Sequence, residues 1–164
     1  MAKVIIIIGS KAELEYARKM AKTLQWFGIS SETRVASAQK SLRHLLQLLD
    51  EYEAEPGARV YITVGARNSA LAGIVDAAVS NPVIACIPLA DAASEAEVYA
   101  TLRAPAGVAP AVVSEPDAAS LLAAKILALA EPALQDKVRD LQTRQTSRLQ
   151  GEDRELRGEK PAGE

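Results

Sequence analysis

Serines, amides and cations recur at three points in this chain, each time directly after an apolar run. Gly9-Ser10-Lys11 follows Val4 to Ile8, Ser37 and Lys40 follow Ile29 to Val35, and Gly65-Ala66-Arg67-Asn68-Ser69 follows Val60 to Val64. Ser10, Ser37, Lys40, Arg67, Asn68 and Ser69 together offer hydroxyl, amide and cationic donors that suit a phosphorylated small molecule. At Gly9-Ser10 a strand turns into a helix, where free backbone N–H groups and the positive end of the helix dipole favour an anion. Glycine lets a ligand approach the backbone and serine adds a donor. The same pair is also an ordinary way to leave a strand and cap a helix, so this turn by itself leaves both readings open. The sequence has no Walker pattern, no GxGxxG after a strand and no His/Cys/carboxylate cluster at metal spacing. Those absences argue against a nucleotide triphosphatase, a dinucleotide enzyme and a metalloenzyme.

Three further side chains have chemistry but a plainer explanation. His44 is the only histidine and sits early in an amphipathic helix, where it reads as a solvated residue. Cys86, the only cysteine, lies inside Pro82 to Ile87 and reads as a buried, inert thiol; no disulfide within the chain is possible. Arg103 precedes a Pro-containing turn and reads as a structural or intersubunit ion pair.

The elements that must position the three loops alternate. Val4 to Ile8 is a run of apolar β-branched residues and predicts a strand buried on both faces, as at the centre of a parallel sheet. Leu14, Ala17, Ala21 and Leu24 then recur at helical spacing, and Gly28 ends that stripe. Ile29 to Val35 predicts a less apolar strand nearer an edge. Leu42, Leu45, Leu46 and Leu49 mark a second helix ending near Pro56-Gly57, and Val60 to Val64 a third strand. A helix over 71–79 breaks at Asn81-Pro82, and Val83 to Ile87 is a fourth strand. Ser94 and Glu97 predict a capping box for a short helix to Leu102, and the fifth strand lies near Val108 to Val113. Asp117 is placed to cap a helix from Ala118 to Ala130, and Pro132 restarts one through about Leu149. The charged stretch 150–164 is expected to be a disordered tail, leaving 1–149 as one domain.

Strands alternating with helices at short intervals predict an α/β fold with a five-stranded parallel sheet covered on both faces and an extra C-terminal helix. Right-handed crossovers would bring every strand-to-helix loop to one rim, where such sheets bind ligands. A chain of 164 residues fits one domain with a real core. A formal charge of −2 gives no electrostatic case for nucleic acid or an anionic membrane. Abundant alanine and few aromatics favour close helix packing, including against other subunits. The five-residue first apolar run, followed directly by Gly, Ser and Lys, is too short for a signal sequence or a membrane span, so a reducing cytoplasm is expected.

The runs Ile8-Gly9-Ser10-Lys11-Ala12-Glu13, Ser37-Ala38-Gln39-Lys40, Gly65-Ala66-Arg67-Asn68-Ser69-Ala70-Leu71 and the stretch from Pro88-Leu89 through Tyr99-Ala100-Thr101-Leu102-Arg103-Ala104-Pro105-Ala106-Gly107 resemble the PurE family of purine biosynthesis, from Lys3 to about Leu141. The Arg-Asn-Ser loop and the run to Gly107 are more similar to its class II branch, the aminoimidazole ribonucleotide carboxylases, than to the bacterial mutases. The resemblance implies a flavodoxin-like three-layer domain assembled as a homo-octamer, with the C-terminal helix reaching a neighbour. It implies binding of aminoimidazole ribonucleotide, with phosphate and ribose meeting Ser10, Glu13, Ser37 and Lys40 beside Gly9 and Lys11. Carbon dioxide would enter an apolar pocket under Gly65 to Leu71, and no metal or organic cofactor is used.

Three departures bear on activity. The family's Ser-Ala-His loop carries the histidine that moves the proton of the ring carbon, and that position is Gln39 here. An amide does not titrate near neutral pH, so this route should lose on the order of 10²–10⁴ in rate. The family's Ser-Asp after Gly-Ser is Ala12-Glu13, a carboxylate one methylene longer. Ala70 and Ala72 also replace glycines of the carbon dioxide loop and would narrow it. Three expectations follow: a carboxylase with an altered proton relay through water or Glu13; an octamer that keeps the fold as a binding protein or scaffold; or an enzyme for another phosphorylated heterocycle.

Overall fold

In a computed structural model, residues 2–65, 69–89 and 92–158 are described. Five parallel strands, β1 (Lys3–Ile8), β2 (Ser30–Val35), β3 (Arg59–Val64), β4 (Val83–Cys86) and β5 (Ala111–Val113), form one sheet in the order β2-β1-β3-β4-β5. The helices are α1 (Leu14–Phe27), α2 (Leu42–Ala54), α3 (Ser69–Ala78), α4 (Ala92–Leu102), α5 (Pro116–Leu127) and α6 (Pro132–Leu156).

The apolar run of β1 is explained by its place at the centre. Val4, Ile6 and Ile8 pack with Met20 and Leu24 of α1 and Ala123 of α5, while Ile5 and Ile7 pack with Leu45 and Leu49 of α2 and Val75 of α3. Side chains alternate across the sheet, so a strand with helices on both faces must be apolar at every position. Each isoleucine so buried contributes roughly 1.5–3 kcal/mol. At the end of α1, Gly28 has φ of 78°, and Ile29 N–H donates to Leu24 O at 2.9 Å. This left-handed turn needs glycine and aims the chain into β2.

Several sequence expectations shift. In α2 the buried stripe is Leu45, Leu48, Leu49 and Tyr52, and Leu42 and Leu46 face outward. Ser94 does not cap α4: the helix starts at Ala92, and the Ser94 side chain is wholly buried within it. Strand β5 is confined to Ala111–Val113. Helix α5 starts at Pro116 with Glu115 as its N-cap. Asp117, one residue inside, accepts from the Thr23 hydroxyl at 2.8 Å and pairs with Lys19 at 3.0 Å. A long-range partner on α1 has taken the carboxylate that local pattern assigned to capping. Helix α6 passes Leu149 and ends at Leu156, so the start of the expected tail is helical. Good helix formers and the i,i+4 pairs Arg148–Glu152 and Asp153–Arg157 carry it on. Residues 159–164 lie outside the described residues.

Candidate functional site

The order β2-β1-β3 reverses the direction of winding between β1 and β3, and ligands of open parallel sheets bind at the carboxyl ends of strands at such a reversal. Ile8 pairs in register with Val35 on one side and with Val64 on the other. The chain therefore leaves all three strands at one level: Gly9-Ser10 in the middle, Ala36-Ser37 on one flank, Gly65 on the other. Ala36 N–H donates to Ile8 O at 3.0 Å, which fastens the first two loops together.

In the central loop Ser10 caps a 3-10 turn over Lys11–Glu13. Its hydroxyl accepts from Ala12 N–H at 3.2 Å and donates to Glu13 Oε2 at 2.7 Å, and its backbone N–H donates to the same Oε2 at 2.9 Å. Glu13 thus supplies, from within the chain, an anion at the Ser10 N–H, one of the groups that sequence alone left open for a ligand. Glu13 Oε1 accepts no hydrogen bond among the described residues and lies over Gly65: a Cβ built on that glycine would sit 3.6 Å from it. The carboxylate therefore spans the ends of β1 and β3. Gly9 is half-buried and Lys11 is exposed.

The β2–α2 loop is held by two serines. Ser37 Oγ accepts from Lys40 N–H at 3.2 Å, Ser37 N–H donates to Ser41 Oγ at 2.9 Å, and Ser41 N–H donates to Ser37 O at 3.0 Å. Gln39 and Lys40 are consequently presented at the tip, exposed, with no side-chain partner among the described residues. Ser41 was missed as a supporting residue; the signal is a hydroxyl immediately before the first leucine of a helix.

In the third loop, Gly65 is buried with φ of 152°. Arg67 and Asn68 lie outside the described residues, and Ser69 is the first residue of α3. Ala72 is fully buried while Ala70 is exposed, lining a cleft of about 340 Å³ with Gly73, Arg103 and Pro105. Arg103 has no ion pair within the chain among the described residues. His44 is exposed on α2. Cys86 is fully buried, and burial, with a smaller contribution from Glu115, pushes its thiol up to about 12. That thiol is inert as a nucleophile at neutral pH.

The family model for AIR carboxylase matches residues 3–148. This chain belongs to the AIR carboxylase family. It is 38% identical to a phosphoribosylaminoimidazole carboxylase of Treponema denticola, over 94% of this chain and 97% of that one. It is 41% identical to a protein of the same name from Archaeoglobus fulgidus, over 94% and 85% of the two chains. A human bifunctional phosphoribosylaminoimidazole carboxylase/phosphoribosylaminoimidazole succinocarboxamide synthetase is 31% identical over 84% of this chain and 32% of its own length. Among solved structures, the crystal structure of Treponema denticola PurE superposes with a TM-score of 0.91 at 38% identity, covering 95% of this chain and 99% of that one. The PurE-type, flavodoxin-like α/β architecture expected from the sequence is the one found. Among the described residues no helix is long and apolar enough to cross a membrane, and no cluster of three or more His, Cys, Asp or Glu could hold a metal ion.

Proposed function

We propose that this family member carboxylates 5-aminoimidazole ribonucleotide with carbon dioxide, giving 4-carboxy-5-aminoimidazole ribonucleotide, as a cytoplasmic homo-octamer and at a rate reduced by Gln39. The observation that carries this reading is the convergence of the Gly9, Ser37 and Gly65 loops at the β1/β3 reversal in a chain of this family. Ser37 and Lys40 hold the phosphate beside Ser10 and Lys11, with the exposed Lys40 ammonium as its counter-charge. Glu13 and Gly9 border the ribose. Gly65, Arg67, Asn68 and Ser69 border the imidazole and the carbon dioxide. Assembly is favoured by α6, whose end carries Leu149 and Leu156 at 55% and 89% exposure, apolar surface that no described residue of its own chain covers.

Gln39 favours a second reading, a ligand-binding octamer without turnover, because an amide cannot shuttle a proton. The test is purified protein with aminoimidazole ribonucleotide and a carbon dioxide source. Saturating ligand, at about 100 times its dissociation constant, should stabilise the fold by roughly 2.7 kcal/mol, and slow carboxylation should accompany it. Stabilisation without product supports the binding protein; neither result would leave another phosphorylated heterocycle as the ligand.

A further inference from the structure

If Gln39 moves no proton, carboxylation needs another acceptor at the rim. The described side chains there leave few. Lys11 and Lys40 are exposed cations suited to phosphate, and His44 points to solvent from α2. Cys86, at the end of β4, is buried in the cluster beneath α1 and α5. Glu13 remains. Its Oε2 takes the Ser10 N–H at 2.9 Å and the Ser10 hydroxyl at 2.7 Å, which fixes the carboxylate plane. Its Oε1 has no donor among the described residues and lies over Gly65, where the third loop begins.

We propose that Glu13 is the general base of this protein, taking through Oε1 the proton that the family's histidine handles elsewhere. This rests on the carboxylase reading above. The ring carbon of the aminoimidazole attacks carbon dioxide; a C–C bond forms and one C=O electron pair moves onto oxygen, giving a carboxylate. The ring carbon then still carries its hydrogen. Glu13 Oε1 takes that proton, the C–H electron pair returns to the ring, and the proton passes to water. A carboxylate with one oxygen anchored and the other free is oriented in advance for such a transfer. The extra methylene of Glu13 compared with aspartate carries the free oxygen from the Ser10 turn across to Gly65.

The experiment compares the parent with Glu13→Gln, Glu13→Asp and Glu13→Gln combined with Gln39→His, scoring thermal stabilisation by aminoimidazole ribonucleotide, KM and kcat. All four proteins should be stabilised by the ligand. Glu13→Gln should lose on the order of 10²–10⁴ in kcat, over and above any rise in KM from its contact with the ribose. Glu13→Asp, which draws the oxygen back from Gly65, should also lose kcat, and serves if the amide variant does not fold. Adding Gln39→His to Glu13→Gln should restore turnover. The proposal is overturned if Glu13→Gln keeps the parent's kcat, if the Glu13 variants change KM alone, or if the parent binds ligand without turnover. A parent that is not stabilised by the ligand at all would instead remove the carboxylase reading, and this inference with it.

Discussion

Tyr61 donates its phenolic hydroxyl to Glu53 Oε1 at 2.8 Å, tying β3 to the last turns of α2. The same carboxylate accepts from Asn81 Nδ2 at 2.8 Å, Ser80 N–H at 3.0 Å and Ser80 Oγ at 2.8 Å, which also fastens the α3–β4 turn. Partial burial by itself would raise the Glu53 pKa. The Ser80, Asn81 and Tyr61 donors outweigh it and hold the group at about 2, against an ordinary 4.5.

Acid stability should therefore depend on Glu53. Because its folded pKa lies below the unfolded one, its contribution is complete above about pH 4.5 and fades as pH falls toward about 2. Glu53→Gln places an amide NH2 among groups that are all donors and should cost on the order of 1–3 kcal/mol near neutral pH. In denaturant titrations at several pH values, the gap between parent and variant should narrow between pH 4.5 and 2. A gap that stays constant across that range would show that the carboxylate's charge plays no part.

None of that cluster is legible in the sequence, because Glu53, Tyr61 and Asn81 belong to three elements and their meeting depends on the strand order. What can be read ahead of the structure is local. The run Val4 to Ile8 announces a central strand, and Gly28 announces the end of α1. Ser94, Asp117 and Ser10 show the limit of such signals. Ser94 has the spacing of a cap and lies inside a helix, Asp117 is taken by Lys19 and Thr23, and the N–H of Ser10 that suits a ligand is already held by Glu13. The meeting of the three loops followed from alternation and handedness alone, since crossovers of one hand leave no other edge for them.

Gly65 tests whether the third loop is limited by space or by backbone. Its φ of 152° is strained for a residue with a side chain, yet a Cβ would find only ordinary contact with Glu13 at 3.6 Å. Gly65→Ala should therefore lose about 1–3 kcal/mol through backbone strain. A thermal melt reads that loss, and a structure of the variant should show Glu13 still bonded to Ser10. Displacement of Glu13 with unchanged stability would reverse the assignment.

Gln39 stands exposed at the tip of a loop already held open by Ser37 and Ser41, so a larger or charged side chain there meets no neighbour among the described residues. Gln39→His should leave the melting temperature within about a degree or two, since exposed substitutions shift stability by at most about 0.5 kcal/mol. Turnover of aminoimidazole ribonucleotide should rise on the order of 10²–10⁴, with a new inflection in the near-neutral range where imidazole titrates. Unchanged turnover would mean that the pocket, and not only the shuttle, has diverged.

The far half of α6 separates folding from assembly. Leu134 and Val138 are buried against α5 and α1, and Leu141 is partly buried, but from Gln142 to Gln150 every residue is exposed. What the body gains beyond that point is mainly Arg144 over the Trp26 ring, 5.5 Å from its centroid, a contact worth roughly 0.5–1 kcal/mol at an exposed site. A chain cut after Thr143 should thus fold with a loss of about that size, seen as a small fall in the denaturation midpoint. Its mass in solution should nevertheless drop below that of the proposed octamer, since Leu149 and Leu156 would no longer be available to a neighbour. An octamer of unchanged stability after truncation would place the subunit contacts elsewhere, on the outward Leu42 and Leu46 of α2 or the exposed Tyr99 and Leu102 of α4.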